Sequence, residues 1–118
     1  TEPANDQRTD LRRGLTVSFA SVDTATSGDN TIVAADATQR IKVLSYVVVA
    51  DGTVAVRWKS GAGTNLSGAM ALVINTGVAS PIGTPSSWLL QTAVNEALVL
   101  NLGAAIGVRG HISYFLEA

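Results

Sequence analysis

His111, in the stretch GHISYF, is the one histidine of the chain and the natural starting point for acid–base chemistry. Catalysis through an activated hydroxyl needs a base, a carboxylate to orient it and a sharp turn that presents the nucleophile. No serine lies in a G-x-S-x-G sequence, and serine and threonine are too abundant for any one to stand out. His111 therefore reads as a strand residue at a surface or subunit contact. The carboxylates Asp23, Asp29, Asp36 and Asp51 occur singly, without the D-x-D-x-D-G spacing that gathers oxygen ligands around Ca²⁺. Gly61-Ala62-Gly63 lacks the following Lys-Ser/Thr and helix of a phosphate-binding loop. The absence of cysteine removes thiolate nucleophiles, disulfides and Cys-ligated metals. The expectation is a protein that is not an enzyme and needs no cofactor or metal. Two tryptophans remain that could stack on a sugar. Trp58 alternates with Val54 and Val56 and reads as core, while Trp88 follows a Gly- and Pro-rich stretch and is the candidate glycan contact.

Composition narrows the partners. Of the 118 residues 14% are charged, against roughly 25% in an ordinary domain, and 47% are hydrophobic, with a net charge of −1. The eight Lys and Arg are scattered, with only Arg12 and Arg13 adjacent, so the clustered positive charge that phosphate recognition needs is missing and no nucleic-acid partner is expected. No apolar run approaches the roughly 20 residues of a membrane-spanning helix, and no membrane partner is expected.

These residues must be positioned by strands. Val, Ile and Thr are plentiful, Gly occurs eleven times, and long 3.6-residue periodicity is lacking. Eight β-type segments fall between turn signals: 15–22, 30–35, 40–50, 53–60, 65–73, 86–92, 97–102 and 106–117. Segments 65–73 and 91–98 are also compatible with short helical turns. Residues 75–87, with Gly77, Pro81, Gly83 and Pro85, read as a long loop. Asp51-Gly52 suits a type I′ turn, which would make 43–50 and 53–60 an antiparallel hairpin. Residues 1–14 hold one large apolar side chain, Leu11, and read as a flexible N-terminal arm before a single β-sandwich domain over 15–118.

Alternation places Val54, Val56, Trp58, Leu98, Leu100, Leu102, Ile112, Tyr114 and Leu116 in the core. The strand 43–50 is apolar on both faces, and the faces opposite the core carry Val99 and Phe115. A lone sandwich of this size would leave such a patch in water, so Leu44, Tyr46, Val48, Val99 and Phe115 are the expected contacts between subunits.

The C-terminal two thirds, Ile41 to Ala118, resembles the small all-β virion proteins of tailed bacteriophages that serve as capsid decoration (cement) proteins or head-fibre and tail-fibre modules. The resemblance rests on the order RIKVLSYVVVADGTVAVRWKSG, TNLSGAMAL, SPIGTPSSW, NEALVLNL and GVRGHISYFLE. It implies an all-β antiparallel β-sandwich of about eight strands, jelly-roll-like and commonly trimeric. It implies a structural part of a phage particle, made in the host cytoplasm, that binds the major capsid protein or another virion protein. Leu11, Arg12 and Arg13 would then be the capsid-binding arm. The alternative is a host-surface glycan-binding module of a head or tail fibre, with Trp88 as its contact.

Overall fold

The computed structural model describes residues 16–84 and 86–118, so Leu11, Arg12 and Arg13 lie outside the described residues. Among those described, the chain forms ten strands and no helix: β1 Ser18–Thr24, β2 Gly28–Val33, β3 Arg40–Ala50, β4 Val54–Ser60, β5 Thr64–Asn65, β6 Met70–Leu72, β7 Gly77–Ala79, β8 Leu90–Gln91, β9 Leu98–Leu102 and β10 Val108–Glu117. They pair antiparallel in two five-stranded sheets. Sheet A runs β1-β10-β3-β7, with β8 also on β3. Sheet B runs β2-β9-β4-β5, with β6 also on β4.

The sheets bury their facing sides against each other. Trp58, Val56, Leu98, Leu100 and Leu102 from sheet B meet Ile41, Val43, Val48, Val108 and Ile112 from sheet A, all at most 1% exposed. Each such side chain contributes roughly 1.5–3 kcal/mol when removed from water. The core positions expected from alternation are therefore found, with Tyr114 and Leu116 half-buried against it. The Trp58 ring lies 5.3 Å from that of Tyr46, tilted 60°, and its indole N–H has no hydrogen-bond partner among the described residues.

β3 and β4 are not a hairpin. They lie in opposite sheets, and residues 51–53 carry the chain across the edge of the sandwich. Neither Asp51 nor Gly52 has the positive φ that a type I′ turn requires at both positions. Asp51 is held at the corner instead: its N–H donates to the Gly107 carbonyl at 2.8 Å and its carboxylate accepts from Arg109. The short helical turns with which 65–73 and 91–98 are also compatible do not form. The first segment forms the short strands β5 and β6. The second bends at Asn95, whose φ of 62° is left-handed and whose N–H donates to the Asp36 carbonyl. Part of the expected loop 75–87 is strand β7.

The apparent double apolarity of β3 has a local cause. Ser113 pairs with Ser45 while Tyr114 pairs with Val43, so Leu44 is the extra residue of a bulge. A bulge reverses the alternation on either side of it. Ile41 and Val43 face the core before Leu44, and Tyr46, Val48 and Ala50 face it afterwards. Lys42, Ser45, Val47 and Val49 form the outer face. Gly110, opposite Val48 on β10, leaves room for the β3 backbone, because a Cβ there would overlap the Val47 carbonyl oxygen.

Replacement of Trp58 by Ala should cost about 3–5 kcal/mol in chemical denaturation, through lost burial and the cavity left behind. Trp58→Phe should cost less, because the phenyl ring refills most of the space that Ala leaves empty. Equal costs for the two variants would mean that the ring does not fill the cavity this packing describes.

Candidate functional site

The two outer faces of the sandwich differ in chemistry. On sheet A the registers set Phe19, Ser113 and Ser45 side by side across β1, β10 and β3, and next to them Ser21, His111, Val47 and Ala79. This band holds no Asp, Glu, Lys or Arg. Ions flank it at both ends. At one end Arg109 pairs with Asp51 and lies 3.4 Å from Asp23; at the other the Lys42 Nζ lies 2.8 Å from the Glu117 carboxylate. Phe19, 76% exposed, and Val49, 42% exposed, stand out from this face. A hydroxyl pair, Ser45 Oγ to Ser113 Oγ at 2.5 Å, ties its middle together.

At the Lys42 end the chain covers its own sheet. After β7, residues 80–84 and 86–89 lie along the free edge of β3, held by Ser80 N–H to the Tyr46 carbonyl at 2.9 Å, Gly83 N–H to the Leu44 carbonyl at 2.7 Å and Leu89 N–H to the Val43 carbonyl at 2.8 Å. Trp88 then lies against Lys42, whose Nζ is 4.1 Å from the centroid of its ring and 5.9 Å from that of Phe115. The ammonium is thus placed between two aromatic rings and a carboxylate, which compensates its near-complete burial. Trp88 keeps 37% of its surface exposed.

The outer face of sheet B is ionic. Asp29 on β2 accepts from the Asn101 amide at 2.7 Å and lies 3.3 Å from the Lys59 Nζ. The Asn101 hydrogen bond above all holds the Asp29 carboxyl below its usual range, against the opposing effect of burial and with the Lys59 hydrogen bond and charge adding to the lowering. Val99 sits between Thr31 and Lys59 in register.

The expected subunit contacts are therefore placed as follows. Val48 and Tyr46 face the core, Leu44 is the bulge residue, and Phe115 and Val99 lie on the outer faces of sheets A and B. Leu44, Val48, Val99 and Phe115 are all buried within the single chain, and Tyr46 is half-buried. The premise that a lone chain would leave this patch in water is thus corrected, since Leu44, Val48, Val99 and Phe115 are each at most 5% exposed in the single chain. His111 is exposed at the centre of the sheet A band. Sequence reasoning missed the Lys42 arrangement, for which the only signal was a lysine set inside an apolar strand.

Among the described residues no three His, Asp or Glu side chains converge on a point that could hold a metal. A shallow depression of about 230 Å³ is lined by Thr16, Ser18, Gln39 and Leu116, none of them titratable.

No protein-family model and no curated protein matches this sequence. Solved structures do match in fold. A chain of the cyanophage Pam1 capsid asymmetric unit is similar with a TM-score of 0.52 and 15% identity, over 87% of this chain and 85% of that one. A chain of the disulfide-linked pili that form Bacillus endospore appendages is similar with a TM-score of 0.49 and 16% identity, over 86% and 85%.

Two measurements check these sites. In a double-mutant cycle, Lys42→Met and Trp88→Ala should couple by about 1 kcal/mol, and a coupling near zero would remove the cation–ring contact. Asn101→Leu should raise the Asp29 pKa, read by NMR titration, towards the ordinary carboxylate value near 4. Because the folded value is depressed, Asp29 adds stability above that pH and loses it as the pH falls towards the folded value, and the variant should show less of this acid-side loss.

Proposed function

We propose that this chain is a structural component of a phage particle, a capsid decoration (cement) protein that binds the assembled head as a homo-oligomer. The observation that carries the reading is the match in fold, over 87% of this chain, to a chain of a cyanophage capsid. The strand orders β1-β10-β3-β7 and β2-β9-β4-β5 support a jelly roll, because β5 with β6 and β7 with β8 act as single strands and give four per sheet. The trimer comes from the resemblance of the sequence and is part of the proposal. Its mechanism is adhesion. The outer band of sheet A, with Phe19 exposed, meets a neighbouring capsid surface without stripping water from unpaired ions, and the charged outer face of sheet B stays in solvent. Leu11, Arg12 and Arg13 add an arm that grips the head. Phe115 on the outer face and Leu44 at the bulge, with Val48 and Tyr46 on the core side beneath, act in assembly as the rigid support of that band, while Val99 lies on the opposite, sheet B face.

In a head preparation the protein should sediment with intact particles at a fixed copy number per major capsid protein, measured by quantitative mass spectrometry. Purified protein added to heads that lack it should restore that number. Phe19→Lys should lower occupancy at least tenfold while the protein stays folded. A protein found only in the soluble fraction, with no binding to isolated heads, would overturn the proposal.

A further inference from the structure

A two-sheet sandwich has four lateral edges, and three of them here are interrupted. The edge of sheet A beyond β3 consists of the three-residue β7 and two-residue β8, separated by the excursion 80–89. The edge of sheet B beyond β4 consists of β5 and β6, two and three residues long. The β2 edge starts at Gly28 with φ of 94° and shifts register between Thr31 and Val33. Short strands, bulges, prolines and lysines are the ordinary means of preventing an edge from pairing with another chain.

The fourth edge, β1, has none of them. Its seven residues, SFASVDT, pair with β10 in unbroken register and, among the described residues, with nothing else. It contains no proline, lysine or arginine, and its one charge, Asp23, lies 3.4 Å from Arg109. Phe19 is 76% exposed on the outer face beside this edge.

We infer that β1 is an assembly edge that pairs antiparallel with β1 of a second copy, joining the two A sheets into one continuous sheet about a two-fold axis. The sequence is complementary to itself in this arrangement. A two-fold axis that keeps both cores on one side of the joined sheet must set a residue opposite its own copy. With Ser21 at that point all seven residues pair. Ala20 then faces Val22 on the core side, Ser18 faces Thr24, and Phe19 faces Asp23 on the outer side. No two like charges stand opposite each other, so nothing electrostatic opposes the contact. The bound strand satisfies the free backbone groups of the β1 edge and covers part of the Phe19 ring. The inference depends on the edge alone and stands independently of the virion reading.

The absence of cysteine makes a direct test possible. In the full chain, Ser21→Cys places two thiols beside the axis, and mild oxidation should link most of the protein into covalent pairs. Ala62→Cys, in an exposed turn of sheet B, should link at least tenfold more slowly. By light scattering the wild type should contain an even number of copies, two (2 × 12.1 = 24.2 kDa) or six where a three-fold contact is also present. Ser21→Lys, exposed and with its ammonium opposite its own copy, should stay folded by circular dichroism and lose the pairing. One or three copies in the wild type, equal linking by both cysteines, or pairing unchanged in Ser21→Lys would each overturn the inference. A failure to bind phage heads would leave it in place.

Discussion

The arrangement on which the rest depends is the cover of β3 on both sides. Its inner side chains, Ile41, Val43, Tyr46, Val48 and Ala50, are buried by sheet B. Its outer side near Lys42 is covered by residues 80–89, returning along the β3 edge with Trp88 against the ammonium. Lys42 is unusual in a charge-poor strand, and burying an unpaired ammonium would be strongly destabilising. Glu117 at 2.8 Å, with the rings of Trp88 and Phe115, makes that burial tolerable and fixes the excursion to the sheet. Phe115 on the outer face then needs no second chain to be dry. The same excursion divides the edge beyond β3 into two short strands, which leaves β1 as the uninterrupted edge of sheet A.

Much of the architecture was legible because burial imposes a period of two. β3 was read at its observed bounds, and Val54, Val56 and Trp58, then Leu98, Leu100 and Leu102, follow the pattern of strands with one face in a core. What failed did so for identifiable reasons. A bulge at Leu44 changes which residues face inwards, and nothing in LSYVVV marks where the extra residue falls. Asp51-Gly52 reads as a tight hairpin from its residue types, yet the same pair serves at a crossing between sheets, where the Gly107 carbonyl and Arg109 hold it. Those partners are more than fifty residues away in sequence. The Lys42 site is equally non-local, since Trp88 and Glu117 come from distant segments. Gly- and Pro-rich composition read residues 75–87 as a loop, but it did not foresee β7 at Gly77–Ala79 or the return onto the β3 edge, and of the expected strand 86–92 only Leu90–Gln91 pairs.

The two outer faces divide the remaining roles. Sheet B places Asp29, Asn101 and Lys59 in mutual contact, an arrangement suited to water. Sheet A keeps its Asp, Glu, Lys and Arg side chains at the ends and a band without them between, with Phe19 and Val49 exposed and His111 at its centre. A face of that kind has low desolvation cost against a protein surface and little attraction for nucleic acid or anionic lipid.

The central structural claim is that the outer side of β3 is covered by the chain itself and not by a neighbour. The most direct measurement is NMR of the isotope-labelled protein over a dilution series down to the monomer. The Lys42 side-chain protons should be shifted strongly upfield by the Trp88 ring, with contacts from Trp88 to Lys42 and from Lys42 to Phe115 that persist unchanged at every concentration. Ordinary lysine shifts, or contacts that vanish on dilution, would contradict the claim and return the cover of β3 to a partner subunit.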